Sequence, residues 1–176
     1  MLRDIRFFKD VRLLFVIAVA ACVVDTAGLF VWKQYPRSAV ISKWYDQFGL
    51  LAYVIDVTSM IIGVVLTQFA TAYIGGPWNP AMFCGVAVLI QQAHDIFFAG
   101  IVVPAVRKGT NDVMDLMHEY TTMTGAAGVL VVDAVYMILT SLLAMVLYSQ
   151  KTWVSVVTLV TTLYVTGYAL VAHPAV

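Results

Sequence analysis

The sequence predicts an all-α fold: a polytopic transmembrane bundle of about five membrane spans, with one short amphipathic surface helix. Hydrophobic residues make up 62 % of the chain, charged residues 11 %, and the mean hydropathy is +0.91, values outside the range of a water-soluble domain. The basic residues occur only at Arg3, Arg6, Lys9, Arg12, Lys33, Arg37, Lys43, Arg107, Lys108 and Lys151. Long stretches without a cation lie between them, as expected where a buried lysine or arginine is costly. A hydrocarbon core about 30 Å thick needs about 20 apolar residues per helix, so roughly five such helices fit within the 176 residues.

The chain reads as one integral membrane domain over residues 1–176. Arg3, Arg6, Lys9 and Arg12 followed by the apolar Leu13 to Val24 mimic a secretory signal, and this stretch is expected to be retained as the first span, 12–32. The mixed charge and aromatics of Asp4-Ile5-Arg6-Phe7-Phe8-Lys9 suit an interfacial lead-in helix. A polar loop with Pro36 follows over 33–47. The second span covers 48–73 and ends at Gly75-Gly76-Pro77-Trp78-Asn79-Pro80, where Asn79 can cap the next helix and Pro80 occupies its first turn. The third covers 81–103 and carries Gln91-Gln92-Ala93-His94-Asp95, whose polar side must face protein or water. Pro104 and Gly109 break the chain. Val113, Leu116, Met117 and Tyr120 then follow i, i+3, i+4, i+7 spacing, predicting a surface helix over 111–123 that lies along the membrane. The fourth and fifth spans cover 125–148 and 153–171, and His173 and Pro174 close the chain.

Several chemistries are disfavoured. Cys22 and Cys84 sit in apolar runs and form no C-x-x-C pair, so they read as packing residues. A retinal Schiff base needs a lysine inside a span, and there is none. Asn79-Pro80-Ala81 resembles the aquaporin signature, but there is one copy, and helix capping explains it better. Basic residues divide evenly between the two sets of loops, so the positive-inside rule leaves orientation open. Tyr53 to Ile61 and Leu130 to Ile138 form a weak repeat that aligns Asp56 with Asp133.

Four acids, Asp25, Asp56, Asp95 and Asp133, lie inside the first four spans. At 1.5 Å rise per residue, Asp25 lies roughly 10 Å from the end of its span and the other three roughly 12 Å from the same face, so all four are expected in one layer. Asp56, Ser59, Gly63 and Thr67 make one stripe, Asp133, Tyr136, Thr140 and Ala144 another, and Gln91 with Asp95 a third. Such small and hydroxyl-bearing stripes point inward. Without a cation in the spans, several carboxyls must stay protonated or hold a cation. With the four acids neutral, ten basic residues face six acidic ones, which favours anionic lipid surfaces. His94 beside Asp95, with no second histidine near, reads better as a hydrogen-bonded pair than as a metal ligand. His118, Asp112, Asp115 and Glu119 read as a solvated face of the surface helix.

Trp44-Tyr45, Phe48-Gly49-Leu50, Asp56 and Gln91-x-x-His94-Asp95, followed by Gly109-x-Asn111, Asp115, Tyr120, Gly125, Asp133 and Met137, resemble in order and spacing a polytopic membrane-protein family of large nucleocytoplasmic DNA viruses, the giant viruses. The likeness runs from Trp44 to the end of the fourth span. It implies a viral or host membrane and brings no activity with it.

The expected site is therefore a buried layer of Asp25, Asp56, Asp95, Asp133 and His94, oriented by Gln91, Gln92 and Tyr136, that binds or passes protons or cations. The alternatives are a structural virion-membrane protein whose surface helix docks a partner, and an intramembrane lipid-acting enzyme using His94 and Asp95 as an acid–base pair. No cofactor is expected, and a metal is left open. The candidate partners are the lipid bilayer, a second copy of the chain, and a virion or host protein at the surface helix, with no nucleic acid.

Overall fold

The computed structural model describes residues 2–35, 38–123 and 126–172. Pro36, Arg37, Gly125, His173 and Pro174, which entered the reading above, lie outside the described residues. Seven helices form among the described ones: α1 (Val11–Gln34), α2 (Ala39–Phe48), α3 (Leu50–Ile74), α4 (Pro80–Ala105), α5 (Asp112–Thr122), α6 (Ala126–Tyr148) and α7 (Thr152–Val171). Of these, α1, α3, α4, α6 and α7 are long and apolar enough to cross a membrane. Their outer faces carry exposed side chains such as Leu66, Leu89, Val131 and Val160, which only lipid covers without cost. The protein is an integral membrane protein.

Short connections make successive spans antiparallel. Helices α1, α3, α4 and α6 pack as a closed ring, each against the next, and α7 lies outside against α1. This places α1 at the centre, and 56 % of its apolar window is buried, the largest share of the five. Val16, Ala20, Val64, Phe83, Ala87, Met137 and Met145 fill the ring.

One end of the bundle is closed by the N-terminal segment, which is not the expected helix. Its backbone runs irregularly from Leu2 to Asp10 as a strap. Side chains from the bundle satisfy its carbonyls and so replace the hydrogen bonds a helix would make. Gln68 Nε2 donates to the Ile5 carbonyl at 2.5 Å, and Trp78 Nε1 to that of Leu2 at 3.2 Å. Ile5 is fully buried, Phe8 stacks on Phe69 at 4.3 Å, and Arg6 donates back to the Gly76 carbonyl at 3.0 Å. At this same end Asn79 Oδ1 accepts from the backbone N–H groups of Ala81 and Met82 at 2.9 and 3.1 Å, so its role is the cap that opens α4.

The opposite end carries a helical roof. The segment expected as a loop over 33–47 contains α2, capped by Ser38, whose Oγ accepts from Ile41 N. Gly49, at φ +48, makes the sharp joint that folds α2 back onto α3. The surface helix α5 packs on α2 and on the start of α6 instead of lying freely along the membrane. Leu116 is 4 % exposed and packs in a cluster with Trp44, Tyr45 and Ala52. Lys33 and Asp46 are bridged at 2.7 Å, as are Lys43 and Glu119, so α2 is tied to α1 and to α5. Helix α4 runs through Pro104, which lacks an N–H and crowds the carbonyl four residues back. A wide π-type turn over Phe98–Val102 accommodates it.

Asp10 links the first span to the fourth. Its carboxylate accepts from the N–H groups of Arg12 and Leu13 at 2.9 and 3.2 Å and from the Tyr148 hydroxyl at 2.5 Å. The Tyr148 hydrogen bond, the two N–H groups and the Arg12 charge hold its pKa below the ordinary aspartate range, against a smaller effect of burial. Because the folded value lies below the unfolded one, this stabilisation is complete above the ordinary aspartate value and fades as pH falls through the depressed one. Asp10→Ala should cost about 1 kcal/mol at neutral pH, roughly 3 °C in Tm. In detergent thermal melts the gap from wild type should close as pH drops below about 4; a gap unchanged at pH 3 contradicts the assignment.

Candidate functional site

Each helix of the ring contributes one acid beneath the roof. Asp25 on α1 is wholly buried, and neither of its oxygens has a hydrogen-bond partner. Asp56 on α3 is held by the roof, since its Oδ2 accepts from Trp44 Nε1 at 2.9 Å and from the Tyr45 hydroxyl at 3.1 Å. Asp95 on α4 accepts at Oδ1 from Gln91 Nε2 at 2.7 Å, with His94 Nδ1 at 3.0 Å from the same oxygen, while Oδ2 is buried without a partner. Asp133 on α6 completes the set.

Two roof tyrosines are perturbed by burial and by these acids. Burial pushes the Tyr45 phenol well above its ordinary value, and the neighbouring carboxyls of Asp56 and Asp25 push the same way. Burial likewise raises that of Tyr120 on α5, with Asp133, Asp56 and Asp95 adding to it. Both hydroxyls therefore remain protonated across the physiological range, and Asp56 is among the charges that act on both.

Close helix approach brings Tyr136 of α6 into this cluster. A Cβ at residue 28 would overlap the Tyr136 hydroxyl, so glycine on α1 makes room for it one turn from Asp25. Gly63 on α3 plays the same part, since a Cβ there would come 2.8 Å from Met137 Cε and 3.2 Å from Gln91 Oε1. Thr67, Thr140 and Ala144, further along the predicted stripes, are fully buried. Beside Asp25, Thr26 bonds Tyr53 at 3.2 Å and Thr166 at 2.7 Å, tying α1 to α3 and α7. None of these hydroxyls reaches the Asp25 carboxyl.

Two expected members are placed otherwise. His94 is not buried: its side chain is 49 % exposed, on the outer side of α4, and stacks on Phe98 at 5.9 Å. Its ring faces out because Asp95, the next residue, occupies the inward position of the helix. Gln92 donates to the Leu130 carbonyl at 2.8 Å, an interhelical tie, and touches no acid. Trp44 and Tyr45, absent from the expected set, supply the donors to Asp56. Their signal was present: Val40, Ile41, Trp44, Tyr45 and Phe48 fall on one helical face after a capping Ser38.

Among the described residues no three His, Cys, Asp or Glu side chains are placed to hold a metal ion together. No family model, no curated protein and no solved structure matches the chain. Each ring helix carries an acid, fully buried at Asp25 and partly buried at Asp56, Asp95 and Asp133, with a hydroxyl and an indole donor on Asp56 and no lysine or arginine among the acids' hydrogen-bond partners within the described residues.

Two pairs are open to test. Tyr45→Phe removes one donor to Asp56, and a double-mutant cycle with Asp56→Asn should give a coupling of about 1 kcal/mol; zero coupling means the hydrogen bond contributes nothing. Gly28→Ala should destabilise by about 1–3 kcal/mol through overpacking. Combined with Tyr136→Ala it should cost far less than the two changes summed, whereas additive losses would show that the two residues do not meet.

Proposed function

We propose that the roofed acid cluster binds protons or cations and exchanges them with the roof side of a viral or host membrane. The carrying observation is Asp25: a carboxyl wholly buried, with no hydrogen bond to either oxygen and no cation beside it. An ionised carboxylate in such surroundings is prohibitively costly, so the group is held neutral by a proton or balanced by an exchangeable ion. Among the described residues no three-ligand metal cage is formed, which favours the proton. Tyr136, Asp56 and Tyr45 are the groups with which Asp25 would exchange protons toward the roof, the Tyr45 hydroxyl already donating to Asp56. Beyond the cluster, passage to the strap end would follow the buried hydroxyls of Thr67, Thr71, Thr140 and Ser141, of which Ser141 has no partner.

The second reading is a structural virion-membrane protein, for which the resemblance to a giant-virus family and the interhelical ties speak. Thr26 with Tyr53 and Thr166, and Asp56 with Trp44 and Tyr45, join helices whatever else they do. In that reading the polar layer specifies packing. The docking surface would be the polar outer face of α5, at Asp112 and Glu119, since Leu116 is turned inward.

Proton flux into liposomes loaded with a pH-sensitive dye separates the two. Wild type should acidify the lumen under an inward proton gradient, and Asp25→Asn and Asp56→Asn should each lower the rate at least about tenfold, one pKa-unit equivalent of barrier, with unchanged helicity. A wild-type protein that leaves the gradient intact rules out passage. An infrared band of a protonated carboxyl that Asp25→Asn removes would then still report proton binding, and its absence would leave the structural reading alone.

A further inference from the structure

Away from the acid cluster, the strap end holds a different chemistry. A cavity of about 430 Å³ opens where α1 begins, α6 ends and α7 begins. Of its seven lining residues three, Arg3, Arg12 and Lys151, are cationic, and the rest are neutral. Arg12 is anchored mainly by uncharged groups and forms no ion pair among the described residues, although Asp10 lies near enough to feel its charge: its guanidinium lies 5.2 Å from the Tyr148 ring centre, and Nη2 donates to the backbone carbonyls of Tyr148 and Gln150. Its Nε has no partner. Arg3 approaches the same Tyr148 ring at 5.8 Å. Lys151 is exposed, forms no ion pair among the described residues, and caps α7 with no side-chain hydrogen bond to the first turn.

The carboxylates nearby are already engaged. Asp10 caps α1 and accepts from Tyr148, and Asp4 is bridged to Arg6 at 2.7 Å. Asp10 keeps its negative charge when hydrogen-bonded, so against it the three cations leave the cavity net positive, and the first turn of a 20-residue helix, uncapped by any side chain, begins at the lining residue Thr152. Its place is equally informative. The ends of three spans meet here, beside Trp153, which is 62 % exposed, and an aromatic at a span end marks the level of lipid headgroups. A volume within the roughly 300–1,000 Å³ of ordinary ligand clefts leaves room for a headgroup.

We propose that this cavity binds a phosphate group, as an anionic lipid headgroup presents it, with Arg3, Arg12 and Lys151 as its cationic contacts. Arginine forks suit phosphate oxygens, and a lysine adds a point charge. An anionic lipid held there would join the strap, the start of α1 and the α6–α7 turn at one membrane surface. The inference is independent of the acid cluster and of any transport.

Thermal stability of the full chain in neutral detergent tests it, with short-chain phosphatidylglycerol, short-chain phosphatidylcholine and inorganic phosphate as probes. Phosphatidylglycerol near a hundredfold its dissociation constant should raise the midpoint on the order of 5 °C, and phosphatidylcholine should not. Arg3→Gln and Lys151→Gln should each remove most of that rise while leaving the ligand-free midpoint unchanged; Arg12 is left intact because it also holds the turn. A rise of equal size with phosphatidylcholine, or one that survives both substitutions, overturns the proposal. An equal rise with inorganic phosphate, lost in both variants, assigns the site to the free anion instead of the lipid.

Discussion

The structure at the roof end depends on satisfying carboxyl groups that no cation reaches. A bilayer interior supplies neither water nor counter-ions, so each acid must find donors, hold a proton, or be withdrawn from the dry region. Asp56 takes the first course through Trp44 and Tyr45. Asp95 takes it in part through Gln91. Asp25 finds no donor at all. The roof exists in this form because the donors for α3 come from a helix that folds back over it, and the Gly49 joint makes that possible.

The two ends of the bundle answer the same constraint with opposite chemistry. Under the roof, acids are concentrated and the nearby Lys33 is already engaged with Asp46. At the strap end, arginines dominate, held by carbonyls and aromatic faces. The ring between them is sealed by Val, Phe, Ala and Met packing, with glycines where backbones or a tyrosine must approach closely. Charge is thereby concentrated at two levels, and between them the buried polar groups include the hydroxyls of Thr67, Thr71, Thr140 and Ser141.

The misplacements have a common cause. Periodicity assigns faces within one helix, but it does not tell which neighbour covers a face. Asp95 and His94 are adjacent in sequence, so one of them had to turn away from the ring, and the α3–α4 and α4–α6 contacts chose Asp95. The strap looked helical because its charges and aromatics alternate plausibly; Gln68 and Trp78, more than sixty residues away, captured its carbonyls instead. Helix α2 was hidden by its polar composition, although its apolar positions repeat with helical spacing.

Hydropathy and the positions of the basic residues were enough to establish five spans, their limits to within a few residues, and the inward stripes of α3 and α6. Those properties follow from local composition and helical period, which a bilayer reads directly. The roof donors for Asp56, the isolation of Asp25 and the basic cavity at the strap end were settled by tertiary packing. Each of these depends on contacts between segments far apart in the chain, and the free energy of a buried charge is set by those contacts and not by its neighbours in sequence.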